Sequence, residues 1–212
     1  MARTRGNKRL CLASQDPALP PTRTIPSPAK GETLALADYF DLSRSIEIDV
    51  GCGKGRFLLA RARAFPETQF LGIERLDARV ARIDVTSRRE NLTNICTLKM
   101  DAVCALDALS SDSIAAAYFF FPDPWPKRRH HKYRLFTPPF ADALHRILKS
   151  GGLLHVATDQ LDYHARMKTL LDADTRFTPI PAFERTPDEY TDFEIIFRSS
   201  GKPIGASSYR KM

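Results

Sequence analysis

Apolar and polar residues alternate along the chain with two different periodicities. Runs rich in β-branched and aromatic residues predict strands, and longer segments with apolar residues three or four positions apart predict helices. The predicted strands cover residues 45–50, 68–74, 95–101, 113–121, 153–159, 177–183 and 193–199. The predicted helices cover residues 56–65, 76–91, 102–109, 138–152 and 160–173. This alternation predicts an α/β fold with an open, mostly parallel, seven-stranded sheet and helices on both faces.

The first 30 residues show neither the strand periodicity nor the helix periodicity. Basic residues between positions 3 and 9 precede a proline-rich stretch, and proline disfavours both the interior of a helix and a central strand. We therefore predict residues 1–30 to be a basic, proline-rich, flexible arm and residues 31–212 to be one folded domain. The arm either has no ligand or contacts phosphates.

Composition narrows the class of protein. The 212 residues have a formal net charge of +7, which favours an anionic partner. No apolar run approaches the roughly 20 residues that span a bilayer, so we expect no membrane segment, and no apolar stretch of a secretory signal follows the basic N-terminus. The four cysteines show no C-x-x-C spacing, which favours reduced thiols and a cytoplasmic location. Adjacent His130 and His131 have poor geometry for a metal site, and we expect no metal.

Candidate functional groups follow five of the predicted strands in turn. They are the turn at residues 51–55, Glu74, Asp101, Asp123 and Asp159. In open parallel sheets, ligands bind outside the carboxyl ends of the strands. We therefore expect these groups to line one edge of the sheet.

The turn after the first of these strands is rich in glycine. Gly51, Gly53 and Gly55 form a G-x-G-x-G pattern, in which the backbone can bend sharply and a ligand can approach closely. Glu74 lies about 20 residues further on, where a carboxylate can accept hydrogen bonds from both hydroxyls of a ribose. Asp101 can accept one from an adenine amino group. The third glycine comes one position too early for a dinucleotide site.

This turn, followed by Glu74 and Asp101, resembles the S-adenosylmethionine-dependent methyltransferases. The resemblance implies a Rossmann-like class I methyltransferase fold with S-adenosyl-L-methionine as the cofactor. Because that cofactor has a sulfonium and an ammonium group, acids are expected around it. Glu47, on the strand before the turn, is a candidate partner for its methionine end, or else an outward-facing strand residue.

The loop after the fourth strand combines a carboxylate, a flat ring and positive charge. It reads FFFPDPWPKRRHHKYRL over residues 119–135, and its prolines make the segment around Asp123 stiff. Trp125 is either a stacking surface for a base or part of the core. The basic residues of the loop are expected to contact phosphates; they are Lys127, Arg128, Arg129, Lys132 and Arg134.

This loop, together with HVATD at 155–159 and TDFE at 191–194, resembles the bacterial tRNA (guanine-N7)-methyltransferase family. The resemblance covers roughly residues 45–200. It implies that the substrate is a guanosine in the variable loop of tRNA, at position 46. It implies cofactor contacts at Glu47, Glu74, Asp101 and Asp123. It assigns substrate binding to Lys127, Asp159, Thr191, Asp192, Phe193 and Glu194, to which the basic run adds Arg129.

Two features depart from the family's pattern. Tyr133 stands where the family often has a further basic residue, so that one phosphate contact is lost or is replaced by stacking. The tail after Glu194 follows only one branch of the family. Its contribution to tRNA binding, and the choice between monomer and homodimer, are therefore open.

The chemistry of guanine N7 suits a cluster of acids. N7 has a lone pair and no proton, so its methylation needs no strong base. The reaction makes the purine cationic, and carboxylates nearby stabilise that charge in the transition state. Asp123 is the predicted catalytic residue, with Asp159 as a second candidate. Both carboxylates, like Thr191 and Glu194, are alternatively acceptors for guanine N1–H and the exocyclic amine.

Three other functions are open at this point. An amino-methyltransferase acting on adenine or cytosine uses a D-P-P-Y loop similar to D-P-W-P, but neither the basic run nor TDFE belongs to that pattern. A nicotinamide-dependent reductase is disfavoured by the position of the third glycine. A catalytically silent RNA-binding protein is expected to have lost pocket acids or glycines, all of which are present.

Overall fold

A mixed sheet organises the fold. The structure is a computed structural model that describes residues 23–125 and 127–212. Its strands are β1 (Thr24–Ile25), β2 (Ile46–Val50), β3 (Gln69–Glu74), β4 (Ile95–Lys99), β5 (Ile114–Phe120), β6 (Leu148–Thr158), β7 (Phe177–Ile180) and β8 (Gly205–Lys211). They lie in the order β1-β4-β3-β2-β5-β6-β8-β7, and all neighbours are parallel except that β8 runs antiparallel to β6 and β7. The mostly parallel sheet is confirmed, with eight strands in the described residues rather than seven.

Helices cover both faces of this sheet. They are α1 (Arg56–Ala64), α2 (Asp77–Arg89), α3 (Ala102–Ala108), α4 (Pro138–Ile147), α5 (Leu161–Asp172) and α6 (Asp192–Ser199). Short 3-10 helices cover Leu36–Asp38, Arg128–Tyr133 and Pro187–Glu189. The apolar residues of α3, α4 and α5 pack on one face of the sheet, and those of α1 and α2 pack on the other. None of the helices within the described ranges has both the length and the apolar character needed to cross a bilayer.

The central strand β5 is apolar throughout because it is buried on both sides. Ala117 and Phe119 pack in the cluster that includes α4 and α5. Ala116, Tyr118 and Phe120 pack on the opposite side, with α1. Successive side chains of a strand point to opposite faces of the sheet. A parallel strand covered by helices on both faces therefore requires the continuous apolar sequence that predicted it.

The segment after residue 190 differs from the prediction. Residues 193–199 belong to helix α6 and not to a strand. The hydroxyl of Thr191 accepts a hydrogen bond from the Glu194 amide at 3.0 Å, which caps the first turn of the helix. The strand that completes this half of the sheet is β8, which the apolar pattern does not indicate.

The connection between α4 and β6 also differs from the prediction. The helix predicted at 138–152 ends at Ile147, and β6 begins at the next residue. The pairing of β5 with β6 shifts register here, and Gly151 has φ +75°. The two glycines therefore serve an irregularity within the strand, and not the end of a helix.

The predicted N-terminal arm is described only in part. Residues 1–22 lie outside the described residues, so the arm stays a prediction there. Residues 24 and 25 form β1, which pairs with β4 and buries the side chain of Ile25. The hydroxyl of Ser27 donates a hydrogen bond to the carbonyl of Lys99 at 2.7 Å. The sheet thus begins before the predicted domain boundary at residue 30.

Candidate active site

The groups predicted from the strand ends lie along one edge of the sheet. Asp101, Glu74, Gly51, Asp123 and Asp159 follow or end β4, β3, β2, β5 and β6, and these five strands are consecutive neighbours. Because these strands are parallel, their carboxyl ends share one edge. The predicted convergence at one edge is therefore present in the structure.

The glycine-rich turn connects β2 to α1 in a conformation that side chains disfavour. Gly51, Gly53 and Gly55 have φ values of +77°, +59° and +80°. A Cβ on Gly55 would lie 2.5 Å from Cγ1 of Ile83, so glycine is also required for the contact of this turn with α2. The turn exposes its backbone at the sheet edge, where a ligand can approach it closely.

The carboxylate of Glu74 is buried and held by its surroundings. Its Oε1 accepts hydrogen bonds from the amides of Arg75 and Leu76 at 2.8 and 2.9 Å. Its Oε2 accepts from the Gly53 amide and from Arg79, both at 3.1 Å. The backbone donors fix the orientation of the acid. The Arg79 side chain is 39% exposed, so it is the partner that hydroxyl groups of a ligand can replace.

Asp49 is a site residue that the sequence interpretation missed. Asp49 precedes Gly51, the first glycine of the turn, by two residues, and it is 5% exposed. Within residues 23–125 and 127–212, no hydrogen bond or ion pair involves its carboxyl group. Burial, followed by the negative charge of Glu74, raises the pKa of Asp49 to about 8. A buried acid that lacks a positive partner suits a cationic ligand.

Glu47 lies two residues earlier on β2 and has other partners. Its Oε2 accepts a hydrogen bond from Tyr118 Oη at 2.7 Å and forms an ion pair with Arg61 at 3.4 Å. Arg61 is also paired with Glu189 at 3.1 Å, and its guanidinium lies 4.0 Å from the ring centroid of Phe65. These contacts place Glu47 in a half-buried network of side chains beneath the sheet edge. They do not support its predicted role as a cofactor contact.

Asp101 lies beside Glu74 and begins the next helix. The Met100 amide donates a hydrogen bond to the Glu74 carbonyl at 3.1 Å, which holds the end of β4 against β3. Asp101 caps α3, because its Oδ1 accepts from the Val103 amide at 3.0 Å. The residue is exposed, so its carboxylate is accessible to a ligand, and its contact with an adenine amino group stays a prediction.

The loop after β5 presents Asp123 to solvent. Asp123 is exposed, and among the described residues it has neither a hydrogen bond nor an ion pair. The backbone on either side is unusual, since Phe121 and Trp125 have φ values of +55° and +44°. Trp125 is 36% exposed and packs against Tyr133 at a centroid distance of 5.1 Å, so it lies at the surface and not in the core.

Four of the five basic residues in this loop are exposed, namely Lys127, Arg128, Arg129 and Lys132. The prediction for Arg134 is wrong, because this residue is 4% exposed. Its Nε donates to the Pro124 carbonyl at 2.8 Å, and its Nη2 donates to Asp162 at 2.8 Å. Arg134 therefore fixes the loop to α5 from beneath and is not available to phosphates.

The TDFE segment meets the same edge of the sheet. Asp192 pairs with Lys54 of the glycine-rich turn at 3.9 Å, and Arg56 donates to the Tyr190 carbonyl at 2.9 Å. Phe193 is 50% exposed. These contacts bring the start of α6 next to the turn, as expected if the segment contributes to a substrate site.

Glu194, however, is fully buried, at 0% exposed. Its carboxylate pairs with Arg185 at 2.6 Å and with Arg198 at 2.8 Å. Its predicted contact with a base is therefore not supported, and its contacts indicate that it anchors α6. The carboxylate of Asp159 is mostly buried, and its Oδ2 contacts Lys202 at 3.3 Å and Gln160 Nε2 at 2.8 Å.

The structure describes three of the four cysteines in the sequence. Cys52, Cys96 and Cys104 are free thiols. Among the residues with described positions, no three or more His, Cys, Asp or Glu side chains form a group that could hold a metal ion.

Comparison with known proteins gives consistent matches. The methyltransferase family model Methyltransf_4 matches residues 43–205. The chain is 40% identical to the tRNA (guanine-N(7)-)-methyltransferase of Nitrosococcus oceani over 81% of its own length and 73% of that protein. It is 41% identical to the protein of the same name from Leifsonia xyli subsp. xyli, over 86% of its own length and 83% of that protein.

Solved structures give the fold alone. The chain is similar to the 16S rRNA methyltransferase KamB with a TM-score of 0.61 and 15% identity, covering 83% of this chain and 89% of that one. It is similar to the antibiotic-resistance methyltransferase Kmr with a TM-score of 0.57 and 20% identity, covering 84% and 91%. The class I methyltransferase fold expected from the sequence is thereby confirmed.

Proposed function

The chain belongs to the tRNA (guanine-N7)-methyltransferase family, and from this premise we propose that it transfers a methyl group from S-adenosyl-L-methionine to N7 of a guanosine in tRNA. The observation that carries the proposal is the meeting of two features at one sheet edge. Two buried acids, Asp49 and Glu74, lie next to the glycine-rich turn. The loop after the neighbouring strand β5 holds an exposed carboxylate, Asp123, beside a run of exposed basic residues.

The residues at the glycine-rich turn fit this cofactor. S-adenosyl-L-methionine supplies a methyl group on a positively charged sulfur. Asp49 and Glu74 are buried acids next to the turn, and Asp49 lacks a positive partner in the described part of the chain. Glu74 can accept ribose hydroxyls when Arg79 moves aside, and exposed Asp101 lies beside it. Asp49 replaces Glu47 in the proposed cofactor site.

Asp123 and Asp159 are the proposed acids on the substrate side. Because N7 already has a lone pair, the protein has to position the base and stabilise the positive charge that develops on it. Asp123 is exposed and has no described partner, so its charge is available to a base. Asp159 is paired with Lys202 and is held more rigidly, which suits orientation of the base by hydrogen bonds.

The basic residues behind Asp123 support a nucleic acid substrate. Lys127, Arg128, Arg129 and Lys132 are exposed on one short helix or next to it. Phosphate contacts of this kind position a nucleic acid without reading its sequence. A tRNA substrate also implies the cytoplasmic location expected from the composition. The basic residues between positions 3 and 9 of the predicted arm are proposed to add phosphate contacts.

A direct test uses unmodified tRNA and S-adenosyl-L-methionine with a labelled methyl group. We expect label in the tRNA and strand cleavage by aniline, after reduction, at one guanosine of the variable loop. A tRNA with adenosine at that position is the matched control and should take up no label. Methylation of the adenosine control, or label that gives no aniline-sensitive site, would exclude guanine N7 as the acceptor.

A further inference from the structure

Two aromatic side chains beside Asp123 are exposed, and the packing of the described residues does not explain them. Trp125 and Tyr133 are 36% and 55% exposed, and their ring centroids lie 5.1 Å apart. The ring of His130 stands edge-on to Trp125 at 5.9 Å. The φ of Trp125 is +44°, in the left-handed region that is unfavourable for residues other than glycine. Backbone strain of this kind persists mainly where it serves function.

The pair is held firmly from beneath. Arg134 is buried under the loop and donates hydrogen bonds to the Pro124 carbonyl and to Asp162, both at 2.8 Å. Its guanidinium also lies 4.6 Å from the ring centroid of Tyr163. Because Pro124 directly precedes Trp125, these contacts fix the backbone on which the indole is presented. The aromatic surface is therefore preorganised.

The surroundings of the pair are positively charged. Lys127, Arg128, Arg129 and Lys132 are exposed around it, and Lys132 Nζ lies 5.2 Å from the Tyr133 ring centroid. No aspartate or glutamate occurs in the sequence between Asp123 and Lys132. Exposed aromatic rings within a basic surface are the combination that binds unpaired nucleic acid, since the rings stack on bases and the cations contact phosphates.

We propose that Trp125 and Tyr133 form a stacking platform for an unpaired base of the tRNA next to the guanosine being methylated. The inference rests on the proposed function and adds a binding site to it. Two residues of extended chain span at most about 7 Å, so the platform lies close to Asp123. A base on the platform therefore belongs to the same RNA segment as the base at Asp123, but it is not the base that is methylated.

Fluorescence tests the platform without any methyl transfer. Trp125 is the only tryptophan in the chain, so the intrinsic tryptophan fluorescence reports on the platform alone. Stacking of a base on the indole should quench this fluorescence when unmodified tRNA is added. Inorganic polyphosphate, a polyanion without bases, should bind the same basic residues without comparable quenching. Binding of tRNA with unchanged fluorescence would overturn the proposal.

Variants of Tyr133 separate stacking from charge. Tyr133→Phe keeps the ring and should bind tRNA within about twofold of the wild type. Tyr133→Ala should bind about 5-fold more weakly or worse. The slope of log affinity against log salt should stay the same, because no phosphate contact is lost. Arg129→Ala is the matched control and should lower that slope by about one unit. Equal affinities of the Phe and Ala variants would contradict a role for the ring.

The platform and the proposed function can fail separately. If tRNA quenches the fluorescence but is not methylated, the stacking platform is supported and the proposed methyl transfer is contradicted. Methylation of tRNA without quenching would remove the platform alone. If the fluorescence of Trp125 changes with protein concentration in the absence of RNA, and sedimentation shows a dimer, the pair lies in an interface between copies and the proposal is wrong.

Discussion

The buried carboxyl group of Asp49 should make the ligand-free protein less stable as the pH rises. Burial and the charge of Glu74 raise its pKa from 3.8 to about 8. Between these two values the folded protein retains a proton that the unfolded chain has released. The free energy of unfolding should therefore fall by about 1.4 kcal/mol per pH unit in this window. Over the whole window, the loss from Asp49 amounts to roughly 5 to 6 kcal/mol. Below pH 4 and above pH 8 its contribution no longer changes with pH.

Asp49→Asn removes the titrating group with little change of shape. The stability of this variant relative to the wild type should increase by about 1.4 kcal/mol per pH unit between pH 5 and pH 7. Urea unfolding of both proteins at pH 5, 6, 7 and 8, without cofactor, measures the difference. Other titrating groups contribute equally to both proteins and cancel. If the difference is the same at every pH, Asp49 is already ionised in the free protein and the reasoning from burial fails.

Glu47→Gln is a matched control on the same strand. Glu47 is paired with Arg61 and accepts a hydrogen bond from Tyr118. Its replacement should destabilise the protein by about 1 to 3 kcal/mol, opposite in sign to Asp49→Asn at neutral pH. A stabilising effect of Glu47→Gln would show that this network does not hold the sheet edge together.

The same variant should bind the cofactor less well. A positive ligand beside Asp49 favours its ionised form, so binding to the wild type below pH 8 should release a proton and become tighter as the pH rises. Calorimetric titration with S-adenosyl-L-methionine in buffers of different ionisation enthalpy measures that proton. Asp49→Asn should release none through this group and should bind more weakly at pH 8. Identical proton release by both proteins would remove Asp49 from the cofactor site.

Substitutions at four other residues test the remaining assignments. Asp123→Ala should lower methyl transfer about 100-fold or more while the thermal midpoint stays unchanged, because the carboxylate is exposed and has no described partner; normal turnover would exclude Asp123 from the chemistry. Glu194→Gln should reduce the free energy of unfolding by about 3 to 5 kcal/mol, because it breaks a buried ion pair with Arg185. Unchanged stability in urea would instead favour a direct role in substrate binding. Arg134→Ala should destabilise the protein by about 1 to 3 kcal/mol, whereas Arg129→Ala should affect only tRNA binding and its salt dependence; a reversal of these two effects would contradict the placement of the loop.

The parallel half of the fold can be predicted from the sequence because its local signals agree. Each central strand is an apolar run, and each is followed by a turn and a helix with apolar residues at helical spacing. The chemistry at the strand ends follows from topology, since parallel neighbours bring Glu74, Asp101 and Asp123 to one edge. The glycine-rich turn is recognisable because three positive φ angles require glycine.

The C-terminal half gives conflicting local signals. The run FEIIF is rich in aromatic and β-branched residues, which favours a strand. TDFE, which overlaps this run, has the T-x-x-E pattern typical of a helix start, and in the structure Thr191 caps α6. That pattern is the local signal that identifies the helix. The strand β8 contains small and polar residues that have low strand propensity, so only its pairing with β6 and β7 reveals it.

The sequence alone does not show which of two acids on β2, Glu47 or Asp49, is available to a cofactor. Glu47 and Asp49 point to the same face of β2, because side chains alternate along a strand. The partners of Glu47 are Arg61 on α1 and Tyr118 on β5. Asp49 has no hydrogen bond or ion pair within the described part of the chain, and only the folded structure shows this difference. The burial of Arg134 within an otherwise exposed basic run depends in the same way on a distant partner, Asp162.

The place of β8 in the sheet bears on the order in which the protein assembles during synthesis. β7 leaves the ribosome before β8. Among the described strands, however, the sheet neighbour of β7 is β8, which also pairs with the edge of β6. Lys211 then bridges back to the Leu148 carbonyl and to Asp112, both at 2.7 Å. Until residues 205–211 have emerged from the ribosome, β6 is an unpaired edge strand, with which a strand of a second nascent chain can pair. Premature termination of translation before residues 205–211 would thus produce an aggregation-prone chain, and not merely a shortened enzyme.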